Sequence, residues 1–496
     1  MPFAITQSCC VDASCVSACP VNCIHPAPGE PDFGSTDMLF VDPRACIDCG
    51  ACAEVCPVDA VFPVENLVGS LREYAEVNAE YYAGREAPAA LAGSPLFHAW
   101  DPVRFDRVLP ADFPRLDVAV VGSGPAAMYA VEDLLLHTTA HVTIIDRLTE
   151  PGGLVRFGVA PDHASTKRIG EHFARYHDHH RVRMRLGVEV GRDVTAEDLG
   201  RQYDAVIYAV GAAESRDLGL PGEDLPGNLA STTVVGWYNG HPEIPADAVD
   251  LSAPRVVVVG TGNVSLDIAR VLAADPDALA GVAPGALAAL RRSAVREVVL
   301  LGRRGPREAA WTRGELLGLL RRDDLEVVVD DHDPQVAASI AAADPTETAS
   351  LLREVPLLSS APEPSPSRRR VVLRFHAAPE EIVGSGHVEG VRLVGGDLLE
   401  AGAVIRAIGH RGRAVPGLPF DPSSGRVPHV EGRVTDRPAT YVVGWIKRGA
   451  SGGIGANRAD AAETVASLIA DGAAGVLGAG ATRNPVRRAV RRLSRR

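Results

Sequence analysis

All nine cysteines of this 496-residue chain fall between Cys9 and Cys56, and the remaining 440 residues contain none. A disulfide framework for the whole chain is thereby excluded, and the thiols must serve one small N-terminal unit. They run Cys9, Cys10, Cys15, Cys19-Pro20, Cys23, then Cys46-x2-Cys49-x2-Cys52-x3-Cys56-Pro57. In the second run three thiolates on a tight loop can surround one iron–sulfur cluster, while the fourth, just before a proline, reaches across to another. A four-cysteine zinc ribbon would need two separated pairs and fits less well. By the crossed rule Cys46, Cys49, Cys52 and Cys19 hold one 4Fe-4S cluster, and Cys9, Cys15 and Cys56 hold the other. Where the repeated pattern calls for a second cysteine in the first run, the chain has Asp12. Oxygen holds iron less firmly than a soft thiolate, so the first cluster reads as 3Fe-4S; a 4Fe-4S cluster with Asp12 or Cys10 as fourth ligand is the alternative. Cys10 could replace Cys9, although Cys10 and Cys23 read better as small buried hydrophobes than as ligands. Residues 1–64 are expected to form a dicluster iron–sulfur module of α+β type.

Residues 65–114 carry scattered prolines and glycines with weak periodicity, and read as a linker with one short helix. Next, the apolar run Leu116-Asp-Val-Ala-Val-Val121 turns through Gly122-Ser123-Gly124-Pro125-Ala126 into a helix, and a second strand closes on Asp146. Strand, glycine turn, helix, strand and acid form a complete dinucleotide fingerprint. Its glycines let the backbone approach a pyrophosphate at the positive helix N-terminus, and the acid can take a ribose hydroxyl. A second fingerprint follows: Arg255-Val-Val-Val-Val259, the turn Gly260-Thr261-Gly262-Asn263-Val264, a helix, and a strand ending in Gly302-Arg303-Arg304-Gly305. Where an NAD site would have an acid, Arg303 and Arg304 suit the 2′-phosphate of NADP.

Two fingerprints imply two dinucleotides. NADP carries hydride and an iron–sulfur cluster accepts single electrons, so a flavin must mediate, and the first site is read as FAD. Disulfide reductases share the layout, but they need a redox cysteine pair near the flavin, and none follows Cys56.

The net charge of −13 opposes general affinity for nucleic acid or an anionic membrane. No apolar run reaches the ~20 residues of an integral membrane segment, and the first residues lack the pattern of a secretion signal, so a cytoplasmic protein is expected. The segment Arg483 to Arg496 holds seven arginines and reads as a basic soluble tail.

The run Gly152-Gly153-Leu154-Val155-Arg156-Phe157-Gly158-Val159-Ala160-Pro161-Asp162-His163, the Gly-Asn-Val turn, Gly302-Arg303-Arg304-Gly305-Pro306 and Gly444-Trp445-Ile446-Lys447-Arg448-Gly449 resemble ferredoxin–NADP reductases of the adrenodoxin reductase type. With its N-terminal module the whole chain resembles the fused ferredoxin/ferredoxin–NADP reductases of actinobacteria. The resemblance implies an α/β fold of the glutathione reductase-like class: a ferredoxin module (1–64), an FAD domain (115–217) interrupted by an NADP domain (218–400), and an FAD segment resuming at 401–472 before the tail (473–496). It places Gly122, Gly124, Pro125, Ala126, Asp146, Gly153 and Leu154 on FAD, with a backbone contact from Val188. Trp445 and the turn Gly452-Gly453-Ile454 would cover the isoalloxazine, with Gly452 also near the nicotinamide. Gly260, Gly262, Asn263 and Val264 would meet the NADP pyrophosphate, Arg303 and Arg304 its 2′-phosphate, and Glu315 a ribose or amide. His163 and Glu315 are the candidate catalytic residues, with His163 either ordering water and tuning the flavin or simply closing a turn with Asp162. One departure is Gly318, where the family has a second acid near Glu315.

The implied activity is that of a ferredoxin–NADP(+) reductase: NADPH gives hydride to FAD, and single electrons pass to the clusters, an external ferredoxin or a downstream redox enzyme such as a cytochrome P450. The runners-up are an electron-supply subunit like the glutamate synthase small chain and a non-catalytic redox sensor.

Overall fold

The computed structural model describes residues 2–30, 32–33, 36, 38–85, 109–345, 347–361 and 368–477. The basic tail and the middle of the linker lie outside the described residues. The strands Asp117–Val121, Arg255–Val259 and Glu297–Leu301 are apolar at nearly every position and buried on both faces, as central strands of parallel sheets must be. Around the first of them a seven-stranded sheet forms. Its parallel core runs Thr440–Val442, Ala205–Tyr208, Asp117–Val121, His141–Asp146 and Val182–Leu186. The second sheet is six-stranded and wholly parallel, in the order Asn228–Ala230, Ala403–Arg406, Arg255–Val259, Glu297–Leu301, Arg369–Arg374, Leu325–Val329.

The chain passes from the first sheet to the second at Glu214–Ser215 and returns at His410–Arg411, and these two short strands pair antiparallel. The return therefore comes later than position 401. Ala403–Arg406 pairs with both Asn228–Ala230 and Arg255–Val259, so it belongs to the second sheet, where its buried Ala403, Val404 and Ile405 complete the core.

The N-terminal module has two antiparallel pairs, Phe3–Ile5 with Val61–Pro63 and Ile24–His25 with Phe40–Val41, and short helices at Ser14–Ala18 and Ala51–Glu54. It does not end at residue 64. The helix Tyr74–Tyr81, expected inside a linker, packs across both pairs through Asn78, which is 1% exposed. Its Oδ1 accepts from the amides of Ile5 (3.1 Å) and Val41 (2.8 Å), and its Nδ2 donates to the carbonyls of Ile5 and Tyr74 (both 2.7 Å). One side chain thus satisfies backbone groups that the short strands cannot pair.

The module is continuous with the first dinucleotide domain. A single apolar core joins Ile5, Cys10, Val11, Val41 and Val58 of the module to Met128, Tyr129, Val443 and Leu468 of that domain. At the contact the amide of Gly455 donates to the carbonyl of Cys10 at 2.6 Å, and a Cβ at position 455 would lie 1.9 Å from the carbonyl oxygen of Val11. Ser165 donates to Ser8 (2.6 Å), and Arg458 reaches the Asp12 carboxylate (3.4 Å).

Replacing Asn78 strands two buried amides at a cost of about 1–3 kcal/mol each. Asn78→Ala should therefore weaken the module by at least about 2 kcal/mol in urea unfolding followed by its visible absorbance. A loss near zero would mean that the helix is not part of the module.

Candidate dinucleotide and cluster sites

The two fingerprints open into one continuous cavity of about 1610 Å³. On the first side the strand Asp117–Val121 ends at Gly122, whose φ of +107° and hypothetical Cβ, 2.4 Å from the carbonyl of Ala209, admit no other residue. Gly124 caps the helix Pro125–His137, and Pro125 occupies its first turn, where a missing N–H costs nothing. Gly153 packs back to back on this turn, its hypothetical Cβ falling 2.8 Å from the Cα of Gly124. Asp146 closes the second strand. Its Oδ2 accepts from the Ser123 hydroxyl and its Oδ1 from the Leu148 amide (2.9 Å).

Gly122, Gly124, Pro125, Ala126, Asp146, Gly153, Leu154, Val188, Trp445, Gly453 and Ile454 all line the cavity. The Val188 amide is committed to the carbonyl of Asp146 (2.9 Å) and so is not free to donate elsewhere. Gly452 lies outside the wall, with its carbonyl behind the Trp445 indole N–H at 3.3 Å. Trp445 stacks on His410 at 5.9 Å with a 20° interplanar angle, a partner that the sequence reading missed. Burial pushes the His410 pKa down, so the stacked ring is neutral near pH 7.

On the second side Asn263 and Val264 line the cavity at the start of the helix Asn263–Ala273, and Asn263 Oδ1 accepts from the Thr312 amide at 2.9 Å. Gly260 and Gly262 stand behind them. A Cβ on Gly260 would approach the Ala407 carbonyl to 2.3 Å, whereas one on Gly262 would enter open space. Arg303 and Arg304 are exposed at the end of the strand Glu297–Leu301, outside the cavity wall and open to solvent.

His163 and Glu315 face each other, with 3.6 Å between Nε2 and Oε2. Between them lies Arg270, 3% exposed and absent from the sequence reading. Its guanidinium donates to Asp162, Asp267, Glu315 (3.1 Å) and His163 Nε2 (2.7 Å). Asp162 and His163 belong to the first domain and the other three residues to the second, so a single cation joins the two. Burial opposes ionisation of Asp162, but Arg270, His163 and Arg322 together hold its pKa below the usual value. Burial pushes Asp267 up to about 6 against the pull of Arg270, so this acid takes up a proton on mild acidification. The ligand atoms of His163, Asp267 and Glu315 lie within 4.8 Å of one another, a grouping able to hold a metal ion, yet Arg270 already supplies the positive charge there. Asp267 also provides the second acid near Glu315 that Gly318 does not.

The cysteines lie in two neighbouring groups that touch through Cys15 and Cys52, and Cys10 stands with Cys9, Cys56 and Asp12. Cys9, Cys15 and Cys56 interact electrostatically with one another and with Asp12, while Cys52 interacts with Cys46, Cys49 and Cys19. Cys23 approaches Cys19 to 3.4 Å between sulfurs, placing it beside the second group. Burial pushes the Cys9 thiol up to about 12 and that of Cys15 higher still, so a thiolate there needs a cation, which iron would provide. Cys49 is exposed. The module also forms part of the dinucleotide cavity: Gln7, Cys9, Cys10 and Val11 line it next to Ile454.

Two dinucleotide sheets, one wholly parallel and one with a parallel core, and a cysteine-rich head set into the wall of their shared cavity define an iron–sulfur oxidoreductase of the FAD/NADP Rossmann class. Residues 116–302 match the pyridine nucleotide-disulphide oxidoreductase family, and residues 39–62 match the 4Fe-4S binding domain family. The chain is 46% identical over 486 residues to a probable ferredoxin/ferredoxin–NADP reductase of Mycobacterium bovis, covering 95% of this chain and 84% of that one. It is 37% identical to the human mitochondrial NADPH:adrenodoxin oxidoreductase, over 73% of this chain and 80% of that one. The solved structure of Mycobacterium tuberculosis FprA in complex with NADPH superposes with a TM-score of 0.65 at 41% identity, covering 72% of this chain and 85% of that one. The chain belongs to the ferredoxin/ferredoxin–NADP reductase family. Among the described residues no helix is long and apolar enough to cross a membrane.

Removing Arg270 would leave Asp267 and Glu315 without their guanidinium and Asp162 with only Arg322 at 3.8 Å, a loss of about 3–5 kcal/mol for a broken buried pair. Arg270→Leu should lower stability by that order in denaturant titration; a change below about 1 kcal/mol would show that the acids are already neutral.

Proposed function

We propose that this chain is an NADPH-dependent ferredoxin reductase that delivers electrons into its own iron–sulfur head. The observation that carries the reading is the position of Cys9 and Cys10 in the wall of the cavity that holds both fingerprint turns. Bound FAD supplies the exchange between a hydride and single electrons, and the clusters accept the latter one at a time.

The residues divide the remaining work. Gly122, Gly124 and Gly153 bring backbone close to the FAD pyrophosphate, Asp146 accepts from its ribose, and Trp445 with Gly453 and Ile454 covers the ring. Asn263 and Val264, at the start of an 11-residue helix, receive the NADP pyrophosphate. Arg303 and Arg304, free of carboxylate bonds among the described residues, grip the 2′-phosphate. Glu315 and His163, held by Arg270, orient the nicotinamide. Because hydride transfer depends on stacking rather than on a strong acid or base, their role is positioning.

The cofactor complement proposed is FAD, NADP(H) and two clusters: a 4Fe-4S cluster on Cys19, Cys46, Cys49 and Cys52, and a 3Fe-4S cluster on Cys9, Cys15 and Cys56. The carboxylate of Asp12 supports the smaller form, because it already accepts from Ser14 and lies near Arg458. Electrons leave to a ferredoxin or another redox protein, a cytochrome P450 being one such acceptor.

Anaerobic NADPH should bleach the flavin absorbance, and Arg303→Ala with Arg304→Ala should raise KM for NADPH by at least about tenfold while leaving NADH little changed. Equal effects on both nucleotides would place the 2′-phosphate elsewhere; a flavin that NADPH does not bleach would leave a sensor. On the cluster assignment, the air-oxidised protein should show the EPR signal of a 3Fe centre, and Asp12→Cys should abolish it by completing a four-thiolate set. A parent without that signal would have a 4Fe centre closed by Asp12 or Cys10.

A further inference from the structure

We infer that the iron–sulfur head is a structural wall of the nicotinamide end of the cavity, seated there on a glycine face of the helix Arg313–Leu320. The inference rests on the reading that this cavity takes NADP(H). The helix has the sequence Arg-Gly-Glu-Leu-Leu-Gly-Leu-Leu, with Thr312 as its N-cap. Gly314 and Gly318 stand four residues apart and so share a face. Each interior glycine costs a helix about 1 kcal/mol relative to alanine, so two on one face call for a structural reason.

The head packs against that face, where a methyl group would sit in contact and a longer side chain would press on it. A Cβ on Gly314 would lie 3.4 Å from the Tyr74 hydroxyl and 3.6 Å from the Gln7 Cβ, and one on Gly318 would lie 3.2 Å from Gln7 Oε1. Tyr74, 2% exposed, donates to Gln7 Oε1 at 2.6 Å and approaches the Gly314 carbonyl at 3.4 Å. Ion pairs flank the contact: Arg313 with Glu80 at 3.0 Å, and Arg321 with Glu73. The leucines of the same helix point both ways, Leu316 and Leu319 into the core of the second domain and Leu317 into the core that contains the head.

Glu315 lies on this helix between the two glycines, and Gln7 itself lines the cavity. The head therefore fixes the helix that carries Glu315, and through Glu315 the Arg270 junction between the two nucleotide domains. Gly318, a departure from the family pattern, is the place where a longer side chain would push against Gln7 of the head. On this account the head contributes to the binding of NADP(H) as well as to the removal of electrons.

The test uses the full-length holoprotein and NADP+, with affinity measured by calorimetry and hydrogen exchange followed over residues 313–320. Glu73→Lys with Glu80→Lys turns both flanking attractions into repulsions on the head side only, and Tyr74→Phe removes the seated hydroxyl while keeping its ring. With cluster absorbance per chain equal to that of the parent, the double variant should weaken NADP+ binding about fivefold and speed exchange in the helix. Tyr74→Phe should shift affinity in the same direction by a smaller factor. Pairing Glu73→Lys with Arg321→Glu should bring affinity back toward the parent. If the parent binds NADP+ and neither head variant alters its affinity by more than about twofold, the head is only an electron acceptor and the inference is wrong. A parent that does not bind NADP+ at all would instead overturn the reading of the cavity, and the inference with it.

Discussion

The backbone of Cys10 and Val11 lies against Gly455 with no room for a methyl group, and the proposed electron path depends on that contact. It puts the loop of the first cysteine group into the wall of the dinucleotide cavity, beside the Gly453-Ile454 turn. Electron transfer between carriers requires proximity, and here proximity comes from packing: one apolar core runs from the head into the first dinucleotide domain without a break. Burial of that core carries the free energy, while the hydrogen bond from Gly455 to Cys10 fixes the register. A head tethered by a long linker could have swung free. The helix Tyr74–Tyr81 and the contacts of Ser8, Asp12 and Tyr74 hold it in place instead.

The second constraint is the buried guanidinium of Arg270. It lies among three carboxylates and an imidazole drawn from two domains, and the cost of burying these charges is offset only while all of them stay in place. This makes the junction a sharp determinant of geometry rather than a large source of stability. Asp162 stays ionised and Asp267 is pushed toward protonation, a division of one cation among several acids that matches its limited capacity. Glu315 and His163, which line the cavity, are thus held by a guanidinium that does not.

Much of this was legible in the sequence because the relevant signals are local. In the first fingerprint a strand, a glycine turn, a helix and a terminal acid occupy some thirty consecutive residues, and in the second the same elements end in an arginine pair over residues 255–305, so both strand–turn–helix units could be found by reading along the chain. The same holds for the cysteine runs, whose spacing sorts them into two groups. Features that depend on distant partners were not legible. Asn78 sits in a segment of weak periodicity, and its role exists only through Ile5 and Val41, 73 and 37 residues away. Arg270 and Asp267 look like ordinary polar positions on an amphipathic helix until Asp162 is brought across from the other domain. The second crossover was placed too early because Ala403–Arg406 opens on the same Ala-Val-Ile as Ala205–Tyr208 of the first sheet, and nothing in its composition says which sheet it joins. Gly318 was visible as a departure, but the residue it faces, Gln7, lies more than three hundred residues upstream.

The central claim is that the nicotinamide cavity and the iron–sulfur head work as one unit within a single chain. The most direct measurement is rapid anaerobic mixing of the holoprotein with excess NADPH over a wide range of protein concentration, following the flavin band and the cluster EPR signals in the same samples. Transfer through a packed intramolecular contact predicts that clusters are reduced after the flavin at a rate independent of protein concentration. A cluster reduction rate rising in proportion to protein concentration, or clusters left oxidised beside a bleached flavin, would contradict it.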